Sequence, residues 1–199
     1  MLKKIASCFV SLVLLVALTG CFIPEQFDAK VMVNKDGSYT MAYDGTLTFV
    51  MALAAGKKGE LTANDEEMLK REGAQLARQP GFKKVEYLGN GRYKVLFEKS
   101  GKPGEPLYFL NREMKFFAIA PQRDGTLSVA AILPDKKTMQ SFGSLGAKMD
   151  GTLTVSVASG AKVIKHNAQS QPTLFGLVGS YKWKIKSPDE NPYIVIQPN

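Results

Sequence analysis

The chain begins with an apolar run and then changes to period-two alternation. Ile5 to Leu18 is apolar apart from Ser7, Cys8 and Ser11, and it follows the cationic start Met1-Leu2-Lys3-Lys4. From Phe27 every second residue is apolar: Phe27, Ala29, Val31 and Val33, then, past the turn residues Lys35-Asp36-Gly37-Ser38, Tyr39, Met41 and Tyr43. Successive side chains of a strand point to opposite faces, so this pattern predicts a hairpin with one buried face. Leu47, Phe49, Met51 and Leu53 continue the alternation, extending the second strand past a bulge or turn at Asp44-Gly45. Ala54 to Gly59 reads as a small-residue loop carrying Lys57 and Lys58. Segments 84–88 and 93–97 flank Gly89-Asn90-Gly91, and Asn-Gly between alternating segments is a strong hairpin signal. Further strands are predicted at 107–110, 115–120, 126–132, 153–157, around Val163-Ile164, at 181–185 and at 194–196.

The spacing predicts one main helix over about 64–79. Asn64 followed by Glu67 has the form of a capping box, Asp65 and Glu66 suit the positive helix start, and Pro80-Gly81 ends the element. Met68, Leu69, Leu76 and Ala77 make its apolar face. Gly73 lies on that face and costs about 1 kcal/mol relative to Ala, which points to a close helix–sheet contact. A second, short helix is predicted over about 135–148, capped by Asp135, with Met139 and Phe142 inward. The fold class is therefore α+β, a largely antiparallel sheet in a single domain over 27–199. Four Asp-Gly-Thr/Ser segments begin at Asp36, Asp44, Asp124 and Asp150. They read as turns, since Asp-Gly tolerates the backbone that tight turns need, whereas a calcium loop needs several more acidic ligands.

Composition narrows the classes. A chain of 199 residues with 45% hydrophobic and 22% charged residues suits one folded domain. Two Cys and one His exclude a disulfide scaffold and a zinc finger. The opening Lys pair, the apolar run of about 14 residues and the small residues after it have the form of an export signal, too short for a membrane span. Leu18-Thr19-Gly20-Cys21 resembles a bacterial lipobox. That resemblance implies cleavage between Gly20 and Cys21, a diacylglycerol thioether on Cys21, and acylation of the new amino group with palmitate-type chains. Residues 1–20 are then a cleaved signal peptide and 21–26 a short lipid tether. The expected address is the extracytoplasmic face of a cell membrane or outer membrane, and Phe22, standing where an Asp commonly retains lipoproteins in the inner membrane, favours the outer one.

The C-terminal third carries a second resemblance. Met149-Asp150-Gly151-Thr152-Leu153-Thr154-Val155, then Lys162-Val163, His166-Asn167-Ala168, Trp183 and Ile194-Val195-Ile196 resemble the LppM-like lipoprotein domain of actinobacterial envelopes, with Ser159-Gly160 where that family writes Pro-Gly. The resemblance implies an α+β envelope domain that binds lipid or glycolipid, and no catalytic residues.

The residues themselves offer no reaction. Ser141-Phe142-Gly143-Ser144 is not a nucleophile elbow, and Gly101-Lys102-Pro103-Gly104 lacks a phosphate loop's spacing. Glu66-Glu67 is explained by a helix start, and His166 beside Asn167 reads as a turn residue. No enzyme activity, metal or cofactor is expected. Between Gly151 and Ser187 there are five lysines, Lys162, Lys165, Lys182, Lys184 and Lys186, and no Asp or Glu. The last three share a strand face. Two readings stand: a surface for anionic phospholipid or glycolipid, or an edge strand that Lys protects from aggregation. The export signal argues against nucleic acid. The leading expectation is a non-catalytic, membrane-anchored envelope lipoprotein that binds lipid, glycolipid or a neighbouring envelope protein. The alternative is a structural or assembly accessory of a membrane complex. An apolar pocket between Met51, Leu69 and Trp183 would favour the lipid binder.

Overall fold

The computed structural model describes residues 22–59, 61–110, 115–173, 179–186 and 190–199, so the expected signal peptide over 1–20 and the expected lipidation and cleavage residues Gly20 and Cys21 lie outside the described residues. The chain folds as an α+β domain, mostly β, in two sheets. The first is built around β1 (Phe22–Val33), which pairs antiparallel with β2 (Tyr39–Phe49) and parallel with β8 (Asp150–Val157). Its strand order is β10-β8-β1-β2-β4-β3, completed by β3 (Phe82–Gly89), β4 (Arg92–Gly101) and β10 (Tyr181–Ile185). The second sheet has the order β5-β6-β7-β11-β9: Leu107–Leu110, Lys115–Pro121, Leu127–Ala131, Tyr193–Gln197 and Lys162–His166, each pair antiparallel. The expected alternation is thus realised, with one parallel pair, β1–β8, that local patterning does not reveal.

The inner faces of the two sheets share one core, and aromatic rings fill it. Phe27 on β1 packs edge-on against Phe116 and Phe117 of β6, both at 5.7 Å, while Tyr43 on β2 meets Phe109 of β5 at 4.4 Å. Phe27 also shows why two of the four Asp-Gly segments are not turns. In register beside it stand Gly45 on β2 and Gly151 on β8. A β-carbon on Gly151 would lie 2.2 Å from the Phe27 ring, and one on Gly45 would lie 2.5 Å from its Cβ. Glycine here makes lateral room for a large ring in the centre of the sheet. Asp36 and Asp124 do hold turns: each accepts hydrogen bonds from the backbone and hydroxyl of the residue two positions on, Ser38 and Thr126.

Three helices complete the described residues: α1 (Val50–Lys57), α2 (Ala63–Leu76) and α3 (Lys136–Ser144). The first corrects the expected strand extension through Met51 and Leu53. Beyond Phe49, helix places Val50 and Leu53 on one face, three residues apart, where both are buried, and leaves Met51 65% exposed. Helix α2 begins two residues earlier at its cap than expected. Thr62, not Asn64, forms the capping box with Asp65, and the helix ends at Leu76 rather than Gln79. The close contact at Gly73 is present: a β-carbon there would stand 2.9 Å from the Tyr93 ring, whose hydroxyl donates to the Leu69 carbonyl at 2.8 Å. Helix α3 is capped by Asp135 as the sequence suggests, and ends at Ser144. Residues 22–26, expected as a tether, are instead the first part of β1. Ile23, Pro24 and Glu25 are buried there: α1 and Ala147 pack on Ile23, and Thr48 and Arg92 enclose the Glu25 carboxylate.

Candidate functional site

The end of the large sheet where β1 begins gathers the features that could act on a partner. Ile23 of β1, Val50 and Leu53 of α1 and Ala147 beyond α3 form a small second core, with Phe142 and Leu145 packed against it. Beneath it, the Glu25 carboxylate accepts from Thr48 Oγ1 at 2.7 Å and from Arg92 Nε at 2.9 Å. Glu25 is only 7% exposed, so Arg92 and Thr48 supply the partners that a buried carboxylate requires. The hairpin tip between β3 and β4 is fixed to α2. Tyr87 donates to Glu66 Oε2 at 2.5 Å, and the Asn90 amide donates to Glu66 Oε1 at 3.2 Å. Burial and the Glu66 carboxylate together push the Tyr87 phenol up to about 12. Asn90 has φ 52°, the left-handed backbone that Asn tolerates at such a tip.

Two clefts flank α3 and share Gly143. One, of about 390 Å³, lies between α1 and α3, with Gly56, Lys57, Arg92 and Gly146 in its wall. Lys57 donates to the Ser144 carbonyl across it. The other, of about 490 Å³, is lined by Lys136, Lys148 and Lys186 together with Met139, Met149 and Asp150. Lys186 Nζ is 4.0 Å from Asp150. Three ammonium groups against one carboxylate, beside two thioether side chains, suit an anionic group carrying an apolar portion. The sequence-picked Lys186 belongs to this cleft. Lys136 and Lys148 were missed because they stand far from it along the chain. The signal available was their position at the two ends of the segment 136–148, on either side of the Met139 and Phe142 face of α3.

The other sequence-picked lysines divide between the sheets. Lys182 and Lys184 are exposed on β10, opposite Thr154 and Thr152 of β8. Lys162 and Lys165 lie on β9 of the second sheet. Lys165 stands 5.9 Å from the centroid of the Tyr193 ring and near Asp124, whose carboxyl it helps hold below the usual range, after the larger effect of the Thr126 hydrogen bonds. The outer edge of β10 is met by its own chain: Ser170 bridges to Lys182, and Gln169 Oε1 accepts from the Lys184 amide at 2.8 Å. The expected pocket between Met51, Leu69 and Trp183 does not form. Met51 is exposed on α1, Leu69 is buried under α2 against β4, and Trp183 is buried on β10 at the other side of the sheet, donating to Asn167 Oδ1 at 2.9 Å.

His166 accepts from the Ala168 amide at 3.1 Å and packs against Tyr181, a turn-holding arrangement. Among the described residues no three His, Cys, Asp or Glu side chains are grouped for a metal, and no helix is long and apolar enough to cross a membrane. These features define a two-sheet α+β domain with basic clefts at one end. It is similar in structure to the folded domain of LppM from Mycobacterium tuberculosis, at 13% identity and a TM-score of 0.43 over 87% of this chain and 89% of that one. No protein-family model matches the chain. No curated protein matches it either.

Proposed function

We propose that this chain is a non-catalytic envelope lipoprotein, exported by residues 1–20 and held at the extracytoplasmic face of a cell membrane or outer membrane by lipid on Cys21. The observation that carries the reading is the motif Leu18-Thr19-Gly20-Cys21 at the end of an apolar run that Lys3 and Lys4 introduce. Two or three acyl chains anchor stably where one is marginal, since each buried CH₂ contributes about 0.8 kcal/mol. The basic clefts beside α3 support binding of an anionic phospholipid or glycolipid. Intact mass of the protein extracted from a bacterial membrane tests the anchor. The expected species begins at Cys21 and carries diacylglycerol, and Cys21→Ser abolishes that mass and leaves residues 1–20 attached. An unmodified, freely diffusing chain overturns the reading.

The second reading, a structural or assembly accessory of a membrane complex, draws on a different observation: rings of Phe27, Tyr43, Phe97, Phe109 and Phe117 occupy the space between the sheets. Native mass spectrometry of the extracted protein separates the two, co-purified lipid favouring the first and a stoichiometric protein partner the second.

A further inference from the structure

The covalent geometry around residue 22 limits how an anchored domain can stand on its membrane. Phe22 is already part of β1, and its ring packs against Phe49 at 5.5 Å and Tyr93 at 5.6 Å. The Cα of Cys21 is therefore about 3.8 Å from a residue of the folded sheet. Acyl chains on Cys21 are joined to the sheet with no linker residue between, at the end that holds α1, the β3–β4 tip and α3. The opposite end, at the Lys35 turn, lies roughly 35–40 Å away along a 12-residue strand.

That same end exposes large apolar side chains with cations beside them. Met51 on α1 is 65% exposed and Leu88 near the hairpin tip 53%. Lys57, Lys58 and Lys148 are exposed around them, and Leu88 and Lys148 line one shallow cleft. Among the described residues, two of the nearby carboxylates are matched by cations and two sit at the positive start of α2. Asp65 closes the Thr62 capping box, Glu66 accepts from Tyr87 and Asn90, Glu67 faces Lys70 and Arg71, and Glu25 holds Arg92. Lys57 donates to the Ser144 carbonyl, and among the described residues none of Lys57, Lys58 and Lys148 has a carboxylate oxygen within 4 Å, so their charge is open to an anionic partner, and apolar tips ringed by Lys match a headgroup interface.

We infer that the α1–α3 end docks onto the anionic phospholipid leaflet that holds the Cys21 acyl chains, with Met51 and Leu88 entering the interface and Lys57, Lys58 and Lys148 meeting headgroup phosphates. The inference rests on the lipid-anchor reading and adds an orientation to it: the long axis of β1 stands away from the membrane, and the β10 lysines face sideways.

The test uses the lipidated chain reconstituted in phosphatidylcholine vesicles with and without phosphatidylglycerol. Cys21 is alkylated in that chain, so a single introduced thiol takes a fluorophore. Met51→Cys, Leu88→Cys, Met32→Cys and Lys35→Cys place the label at the docking end, on the outer sheet face and at the far turn, all at exposed positions. Spin-labelled lipid should quench labels at 51 and 88 several-fold more strongly than those at 32 and 35. The difference should shrink when phosphatidylglycerol is omitted, when salt is raised, or in Lys57→Glu/Lys58→Glu/Lys148→Glu. Equal quenching at all four sites, or stronger quenching at 32, overturns the docking. Intact mass of the same sample reads acylation separately. An unmodified Cys21 overturns the anchor reading and the docking with it, whereas acylated protein with equal quenching overturns the docking alone.

Discussion

The room that Gly151 leaves for Phe27 can be tested by filling it. In Gly151→Ala the new β-carbon would lie 2.2, 2.3 and 2.4 Å from three atoms of the Phe27 ring. That ring cannot swing aside, because Tyr43 stacks on it at 5.7 Å and Phe116 and Phe117 abut it from the other sheet. Overpacking of this kind costs about 1–3 kcal/mol. The entropy that Ala saves relative to Gly offsets roughly 0.5–1 kcal/mol, so the expected loss is about 1–2 kcal/mol. Phe27→Ala alone costs about 3–5 kcal/mol, as loss of a buried ring does. With the ring gone, Gly151→Ala should become neutral or slightly stabilising, a coupling of about 2 kcal/mol in the double-mutant cycle. Gly45→Ala is the control. Its β-carbon meets Phe27 Cβ at 2.5 Å and the Gln26 carbonyl oxygen at 2.6 Å, and both atoms remain when residue 27 is Ala. Its cost should therefore persist in the Phe27→Ala background. Urea unfolding followed by the emission of Trp183, the chain's single tryptophan, measures each corner at unchanged m-value. The reasoning fails if Gly151→Ala costs the same in both backgrounds, or if Gly45→Ala is rescued equally.

Two further outcomes follow from hydrogen bonds. Asn167 Oδ1 accepts from Trp183 Nε1 and from the Tyr193 amide, both at 2.9 Å, so it joins β10 of one sheet to β11 of the other. Asn167→Ala should lower stability by about 1–3 kcal/mol, because it leaves the indole N–H buried without an acceptor. Asn167→Asp, which keeps the accepting oxygen but replaces the Nδ2 donor to the Asn191 carbonyl with a second acceptor, should recover only part of it, and equal urea midpoints for Asn167→Ala and the parent chain would refute this. Asp36, Asp65, Asp124 and Asp135 are each held below the usual carboxylate range: by the Ser38, Thr62 and Thr126 side chains first, and for Asp135 by the Thr138 amide first. A depressed folded pKa adds stability above the unfolded value of about 3.9 that is lost as pH falls through it toward the folded value. The urea midpoint should therefore drop below about pH 4, and Asp36→Asn/Asp124→Asn should drop less steeply. A midpoint that stays level to pH 3, or equal slopes for the two chains, contradicts the assignment.

Much of the strand pattern was legible because a half-buried strand writes its burial directly as alternation. Tyr39, Met41 and Tyr43 are buried on β2 as their spacing implies, and Asn90-Gly91 turns the chain where the dipeptide indicates. The helix α1 was not legible. Met51 and Leu53 fit period two, while Val50 and Leu53 fit a helical face, and only the need to cover Ile23 and Ala147 decides between them. The candidate site was legible in one residue, Lys186. Its companions Lys136 and Lys148 join it because β10 pairs with β8, which sets residue 186 beside residue 150 across a separation no local window contains.

The four Asp-Gly segments separate the two levels of determination. By itself the sequence determined that each of these positions tolerates a glycine backbone, that strands alternate around them, and that a lipobox-like motif immediately precedes the first of those strands. Tertiary structure alone decided that Asp36 and Asp124 hold turns while Gly45 and Gly151 stand beside the Phe27 ring. It also decided that residues 22–26 are strand rather than tether. The physical reason is the same in both cases. Turn chemistry and apolar spacing act within a few residues, whereas the space a ring needs and the surface a strand must cover are set by segments brought together from distant parts of the chain.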